Sequence, residues 1–161
     1  MTMTNRKPAG KQRGTTVVEF AIAGTVFFMI LFAAIEMARM MFARSVLEEG
    51  VRRGARLAAV CPLAEAETIK GRAAFTAGGD PLLPGFGPAN LQLQYLNAAG
   101  AALGDPAGNF NNIRYVRVTV QNYTMPLLIP FMSVIFQPNG MSSTLPRESL
   151  GVAAEGFTTC A

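Results

Sequence analysis

The sequence predicts an α+β protein in which one long N-terminal helix, first membrane-spanning and then amphipathic, packs on a small antiparallel β-sheet head. Three observations carry this reading. The sixteen residues from Phe20 to Ile35, between Glu19 and Glu36, hold no charge, and so continuous a run needs a larger protein, or a bilayer, around it. Downstream, apolar residues keep helical spacing as far as Cys61. Beyond that, two segments alternate apolar and polar side chains as half-buried strands do. Composition agrees: 50% of the 161 residues are apolar and 15% charged, against about 25% charge in ordinary soluble domains. That excludes disorder and points to a membrane or a closely bound partner.

Residues 1–14 form a basic leader containing Arg6, Lys7, Lys11 and Arg13 and no acid. Without them the chain has ten Lys and Arg against ten Asp and Glu, so its net charge of +4 belongs to the leader. No aromatics are interleaved with these cations, and nucleic acid is not an expected partner. A basic segment that ends where an apolar run begins is instead the pattern of membrane targeting. The next segment, Thr15 to Ala38, is about 36 Å long as a helix and can cross a hydrocarbon core of about 30 Å. Glu19 and Glu36 are then expected near the two interfaces. A cleaved secretory signal is the rival, but its small-x-small motif, Ala21-Ile22-Ala23, comes too early. Counting cations does not orient the span, because Arg39, Arg44, Arg52, Arg53 and Arg56 follow it. The uncompensated leader and the downstream position of both cysteines favour the N-terminus inside and the head in an oxidising compartment.

Residues 39–60 continue the helix in amphipathic form. Met40, Ala43, Leu47, Gly50, Gly54, Leu57 and Cys61 share one narrow face. On the other side, Arg44 with Glu48, Glu48 with Arg52 and Glu49 with Arg53 are spaced for i,i+4 pairs. Gly50 and Gly54 each cost about 1 kcal/mol relative to Ala in a helix interior, which implies close approach of another backbone. Pro62 disfavours helical geometry at Cys61, so one helix from Thr15 to about Val60 is expected.

Residues 61–161 form the head. A short helix over Leu63–Phe75 precedes a Gly/Pro-rich loop that runs to Asn90. Strands are expected at Leu91–Leu96, Arg114–Gln121 and Met141–Leu145, with Val116, Val118 and Val120 on one buried face. Leu127-Leu128-Ile129-Pro130-Phe131 is too short and too Pro-interrupted for a second span. It reads either as core packing or as an exposed partner patch. Cys61 and Cys160 lie at the two ends of the head. Paired, they would close a loop of about 100 residues, which the chain-entropy model values at roughly 4.7 kcal/mol; the alternative is two free buried thiols.

The junction of leader and span, Arg13-Gly14-Thr15-Thr16-Val17-Val18-Glu19-Phe20, is the most specific signal. It resembles a type IV prepilin processing site, and in particular that of the TadE-like (TadE/TadF) minor pseudopilins of tight-adherence, Flp type IVb, pilus systems. Residues 48–58, EEGVRRGARLA, strengthen the resemblance. It implies cleavage after Gly14 by a prepilin peptidase, leaving Thr15 as the new N-terminus and Glu19, followed by Phe20, as its fifth residue. Residues 15 and 19 are helix neighbours, so Glu19 can neutralise the new ammonium or that of an adjacent subunit. The implied partners are the peptidase, other pilins or pseudopilins, the pilus assembly platform and the lipid bilayer. The implied setting is the bacterial inner membrane, with the N-terminus cytoplasmic and the head periplasmic.

No catalytic constellation emerges. The chain has no His, which removes the commonest general base and transition-metal ligand, and it contains no phosphate-binding loop, dinucleotide fingerprint, C-x-x-C or nucleophile elbow. No enzyme, cofactor or metal is expected. The function expected is that of a minor pseudopilin in pilus assembly; the other reading is an unprocessed single-pass scaffold or sensor.

Overall fold

The computed structural model describes residues 13–76, 79–128 and 135–160. Helix α1 runs unbroken from Arg13 to Val60, 48 residues, or about 72 Å at 1.5 Å per residue. It begins two residues before the expected Thr15, because the roughly 1 kcal/mol that glycine costs does not break a helix, and it ends where Pro62 required. Its first half, from Gly14 to Ile35, is exposed apart from a partly covered Gly24. That part of the helix is long and apolar enough to cross a membrane once. Leader residues 1–12 lie outside the described residues.

The second half of α1 is where the head assembles. Its buried face holds Ala43, Val46, Leu47, Val51, Ala55, Ala58 and Ala59 together with Gly50 and Gly54. This is broader than the narrow stripe expected, because two elements rather than one cover it. A three-stranded antiparallel sheet lies on one side, in the order β1 (Leu91–Leu96), β2 (Tyr115–Val120), β5 (Ser142–Pro146). Helix α2 (Ala66–Ala73), preceded by a 3-10 turn at Leu63–Glu65, lies on the other. The single short helix expected over Leu63–Phe75 is thus split and ends earlier; Phe75 takes a positive φ of 58° that stops it. β5 is displaced one residue from expectation and β2 is trimmed by one at each end.

Gly50 and Gly54 of α1 do what their cost implied. A Cβ at Gly50 would lie 2.8 Å from the Ala73 carbonyl oxygen, and one at Gly54 would lie 3.0 Å from the Ala73 Cβ. At Gly50 the approach of the α2 backbone therefore requires glycine, while at Gly54 the side chains of Ala73 and Val118 fill the space a Cβ would take. Central strand β2 turns Val116, Val118 and Val120 into the core, all at most 2% exposed. Its other face is polar, and the Arg117 Nε donates to Thr144 Oγ1 across the register at 3.0 Å.

Between β2 and β5 the chain makes an excursion as a two-stranded arm, β3 (Met125–Pro126) with β4 (Ile135–Phe136). Met125 and Phe136 belong to the main core cluster with Met40, Ala43 and Tyr123. Tyr123 stacks edge-on against Phe86 at 5.3 Å, and its hydroxyl donates to the Pro84 carbonyl at 3.4 Å. Burial raises the Tyr123 phenol pKa, while Arg39 opposes the rise. Ile129, Pro130 and Phe131 of the Pro-interrupted apolar segment lie outside the described residues.

After β5 the tail returns to the end of α1. Helix ends leave carbonyls without intrahelical partners, and here the tail supplies the donors. The Glu148 and Leu150 amides bond Ala59 O at 3.1 and 3.2 Å, and the Gly151 amide bonds Val60 O at 2.6 Å. Gly151 has φ 81°, and a Cβ there would strike the Pro62 ring. A small hairpin, β6 (Val152–Ala153) with β7 (Gly156–Phe157), then leads to Cys160.

The second core cluster contains Tyr95 with Ala58, Cys61, Ile69, Ile113, Val116 and Leu150. The Tyr95 hydroxyl is buried and has no hydrogen-bond partner among the described residues. Burial pushes its pKa up to about 12. In the unfolded chain a tyrosine ionises near 10, so the unfolded state loses its proton first. Stability is therefore full below pH 10 and falls between pH 10 and 12, by about 1.4 kcal/mol per pH unit. We predict that Tyr95→Phe removes this part of the alkaline slope in urea unfolding curves. At pH 7 the variant should be as stable as the wild type or about 1 kcal/mol more so.

Candidate processing and assembly site

The residues singled out at the leader junction sit on the first turns of α1. Gly14, Thr15, Glu19 and Phe20 are all helical and exposed. Among the described residues, a Cβ at Gly14 would meet nothing within 4 Å. Glycine is the weakest non-proline helix former, and this one lies in the terminal turn, where little must be undone to extend the backbone. Thr15 and Glu19 lie one helical turn apart on the same side, and Glu19 makes no ion pair among the described residues.

The other pair of residues is brought together from the ends of the head. Cys61 and Cys160 form a disulfide across 99 residues, with Cα atoms 5.7 Å apart. Cys61 is fully buried. The Cys160 amide donates to both carboxylate oxygens of Glu65, at 3.0 and 3.2 Å, so a side chain on the turn before α2 aligns the tail for the bridge. The two sets of residues stand at opposite ends of α1.

Along the outer face of α1, Arg44 pairs with Glu48 at 2.9 Å and Arg52 approaches Glu48 at 3.9 Å, as the spacing implied. The expected Glu49–Arg53 pair does not form. Arg53 instead lies 5.5 Å from the centroid of the Phe75 ring, because α2 brings an aromatic face within reach and a cation over a ring competes well with an exposed ion pair.

A third cluster was not foreseen as a site. Glu36, expected simply at an interface, is 2% exposed. The Arg39 Nη1 donates to both of its oxygens at 2.8 and 2.9 Å, and the Leu128 amide donates to it at 3.2 Å. An acid three residues before an arginine is a visible i,i+3 pair. A backbone amide 92 residues away leaves no trace in the local pattern.

Among the described residues no three His, Cys, Asp or Glu side chains converge as metal ligands. An apolar cavity of about 650 Å³ is lined by Pro62, Leu63, Ala64, Ala107, Phe110 and Phe157, none of which titrates.

Fold and site together define an α+β head on a long helix: a bare apolar half-helix bearing a Gly-x-x-x-x-Glu junction, continued by a half-helix that packs in the core of a disulfide-closed domain. The family model described as TadE-like protein matches residues 14–56. This stretch is similar to the TadE-like family, and it runs from Gly14 through the glycine-bearing face that α2 and β2 cover. No curated protein and no solved structure matches the chain.

For the disulfide, the expected outcome is a faster-migrating band on non-reducing gels that disappears with reductant and in Cys160→Ser. The variant should lose about 2–5 kcal/mol in chemical unfolding, with the tail freed more than the helix. Alkylation of both thiols in untreated protein would show the bridge to be absent in the cell.

Proposed function

We propose that this chain is a minor pseudopilin in the assembly of a tight-adherence pilus, cleaved between Gly14 and Thr15 by a prepilin peptidase. In this reading the head stands on the outer side of the bacterial inner membrane and meets other pilins and the assembly platform. The observation that carries it is the coincidence at one point of four features: the end of the basic leader, an exposed helical Gly14, the start of the TadE-like match, and an acid five residues on.

The chemistry of the junction supports the same reading. Hydrolysis after Gly14 would remove every excess cation of the leader and create an ammonium on Thr15. At the edge of a bilayer a lone charge is costly, and a carboxylate one turn away offsets it. Glu19, exposed and without an ion pair among the described residues, is available either to its own terminus or to that of a neighbouring subunit. The disulfide agrees with a head in an oxidising compartment.

Two expected outcomes test the proposal. N-terminal sequencing of membrane-extracted protein should begin at Thr15, and Gly14→Leu should retain the leader; an intact leader in cells with active peptidase would favour the unprocessed scaffold or sensor. Glu19→Leu should remain membrane-resident and be cleaved, yet fail in pilus assembly, because the new ammonium is left unpaired near lipid. Normal piliation by cells carrying only Glu19→Leu would remove the assembly role from Glu19.

A further inference from the structure

The burial of Glu36 is unexpected where it occurs. From Gly14 to Ile35 the helix is almost entirely bare, yet the next residue is covered. The cover is the segment around β3, which reaches back so that the Leu128 amide bonds the Glu36 carboxylate while Arg39 closes its other side. Leu128 itself is 67% exposed. On α1, Met37, Met41 and Phe42 are each more than half exposed. These side chains continue the apolar surface of the bare half-helix onto the head.

Their height follows from helix geometry. With the Thr15–Ala38 segment centred on a bilayer and α1 along its normal, Glu36 lies about 14 Å from the midplane and Phe42 about 23 Å. The hydrocarbon core ends at about 15 Å and the headgroups at about 20–22 Å. Glu36, and Leu128 bonded to it, fall at the acyl–headgroup boundary. A carboxylate there must be paired and covered, and the covering residue must itself tolerate lipid. Leu128 meets both requirements.

We propose that the chain at Leu128, just after β3, is a second membrane contact on the head's side, with Leu128 at the acyl–headgroup boundary and held there by Glu36 and Arg39. The occupant of this surface is the lipid bilayer, because the surface is continuous with the span. The contact would set the head's tilt and rotation over the membrane, which a single helix leaves free. The proposal rests on the membrane-spanning reading of α1.

The chain contains no Trp, so a single introduced indole reports its own surroundings. Leu128→Trp, Phe28→Trp in mid-span and Gln92→Trp on the solvent face of β1 would each be reconstituted, as full chain, in phosphatidylcholine vesicles at several lipid-to-protein ratios. Native disulfide formation on non-reducing gels checks each fold. In Leu128→Trp the emission should be blue-shifted, and quenching by lipids spin-labelled near the headgroup should be at least twice that in Gln92→Trp at every ratio. Adding Glu36→Ala should at least halve that quenching while the disulfide still forms. Emission and iodide quenching equal to those of Gln92→Trp would overturn the proposal. So would a blue shift confined to low lipid-to-protein ratio, because a second copy would then be the cover. Unchanged quenching with Glu36→Ala would overturn the holding role of Glu36. Quenching by lipids spin-labelled near the acyl-chain end in Phe28→Trp, without headgroup-label quenching in Leu128→Trp, defeats the Leu128 contact alone; absence of acyl-chain quenching in Phe28→Trp defeats the membrane-spanning reading with it.

Discussion

A single continuous helix must be solvated along its whole length, and the two halves of α1 need different solvents. The first half presents large apolar side chains on every side, such as Phe20, Phe27, Met29 and Ile30, and only lipid or other apolar helices can surround it. The second half presents one apolar face flanked by charges, and the protein supplies its own cover for that face. Sheet and α2 owe their positions to it: Val118 of β2 and Ala73 of α2 close on the same glycine-bearing stretch. Small side chains at Gly50, Gly54, Ala55 and Ala58 let backbones approach, which gives a small sheet and one short helix enough contact to form a core.

The far end of α1 is closed as firmly as the glycine face. Tail amides satisfy the carbonyls of Ala59 and Val60, Glu65 holds the Cys160 amide, and the disulfide joins the tail to the first residue beyond the helix. These are three independent interactions on one short segment. They convert a long loop excursion into a closed domain whose two ends meet at one place, so the head is a unit carried by the helix.

Charge placement along α1 follows the same division of solvents. The exposed acid at Glu19 stands at the leader end, where a processed terminus would need it. The acid at Glu36 stands at the other end of the bare segment and is neutralised within the chain by Arg39 and a backbone amide. Farther along, Arg44, Glu48 and Arg52 face outward beside β5, where water screens them and their energetic weight is small.

The long helix, its bare apolar half, its stop before Pro62, the close-approach glycines and the three strands, with the buried face of β2, were all legible in the sequence. So were the two cysteines at the ends of the head. Each depends on residue period, a breaker or a short motif, and these act between neighbours in the chain. The tertiary structure alone decided the sheet order β1-β2-β5 with an arm inserted before its last strand, the clasp of the tail on Ala59 and Val60, the stacking of Arg53 on Phe75, and the burial of Glu36. Those contacts bring together residues that are distant in the chain, as with the 92 between Glu36 and Leu128, and several use backbone amides that every residue but proline possesses. Side-chain pattern cannot announce such a donor; only the closed path of the chain puts it within reach.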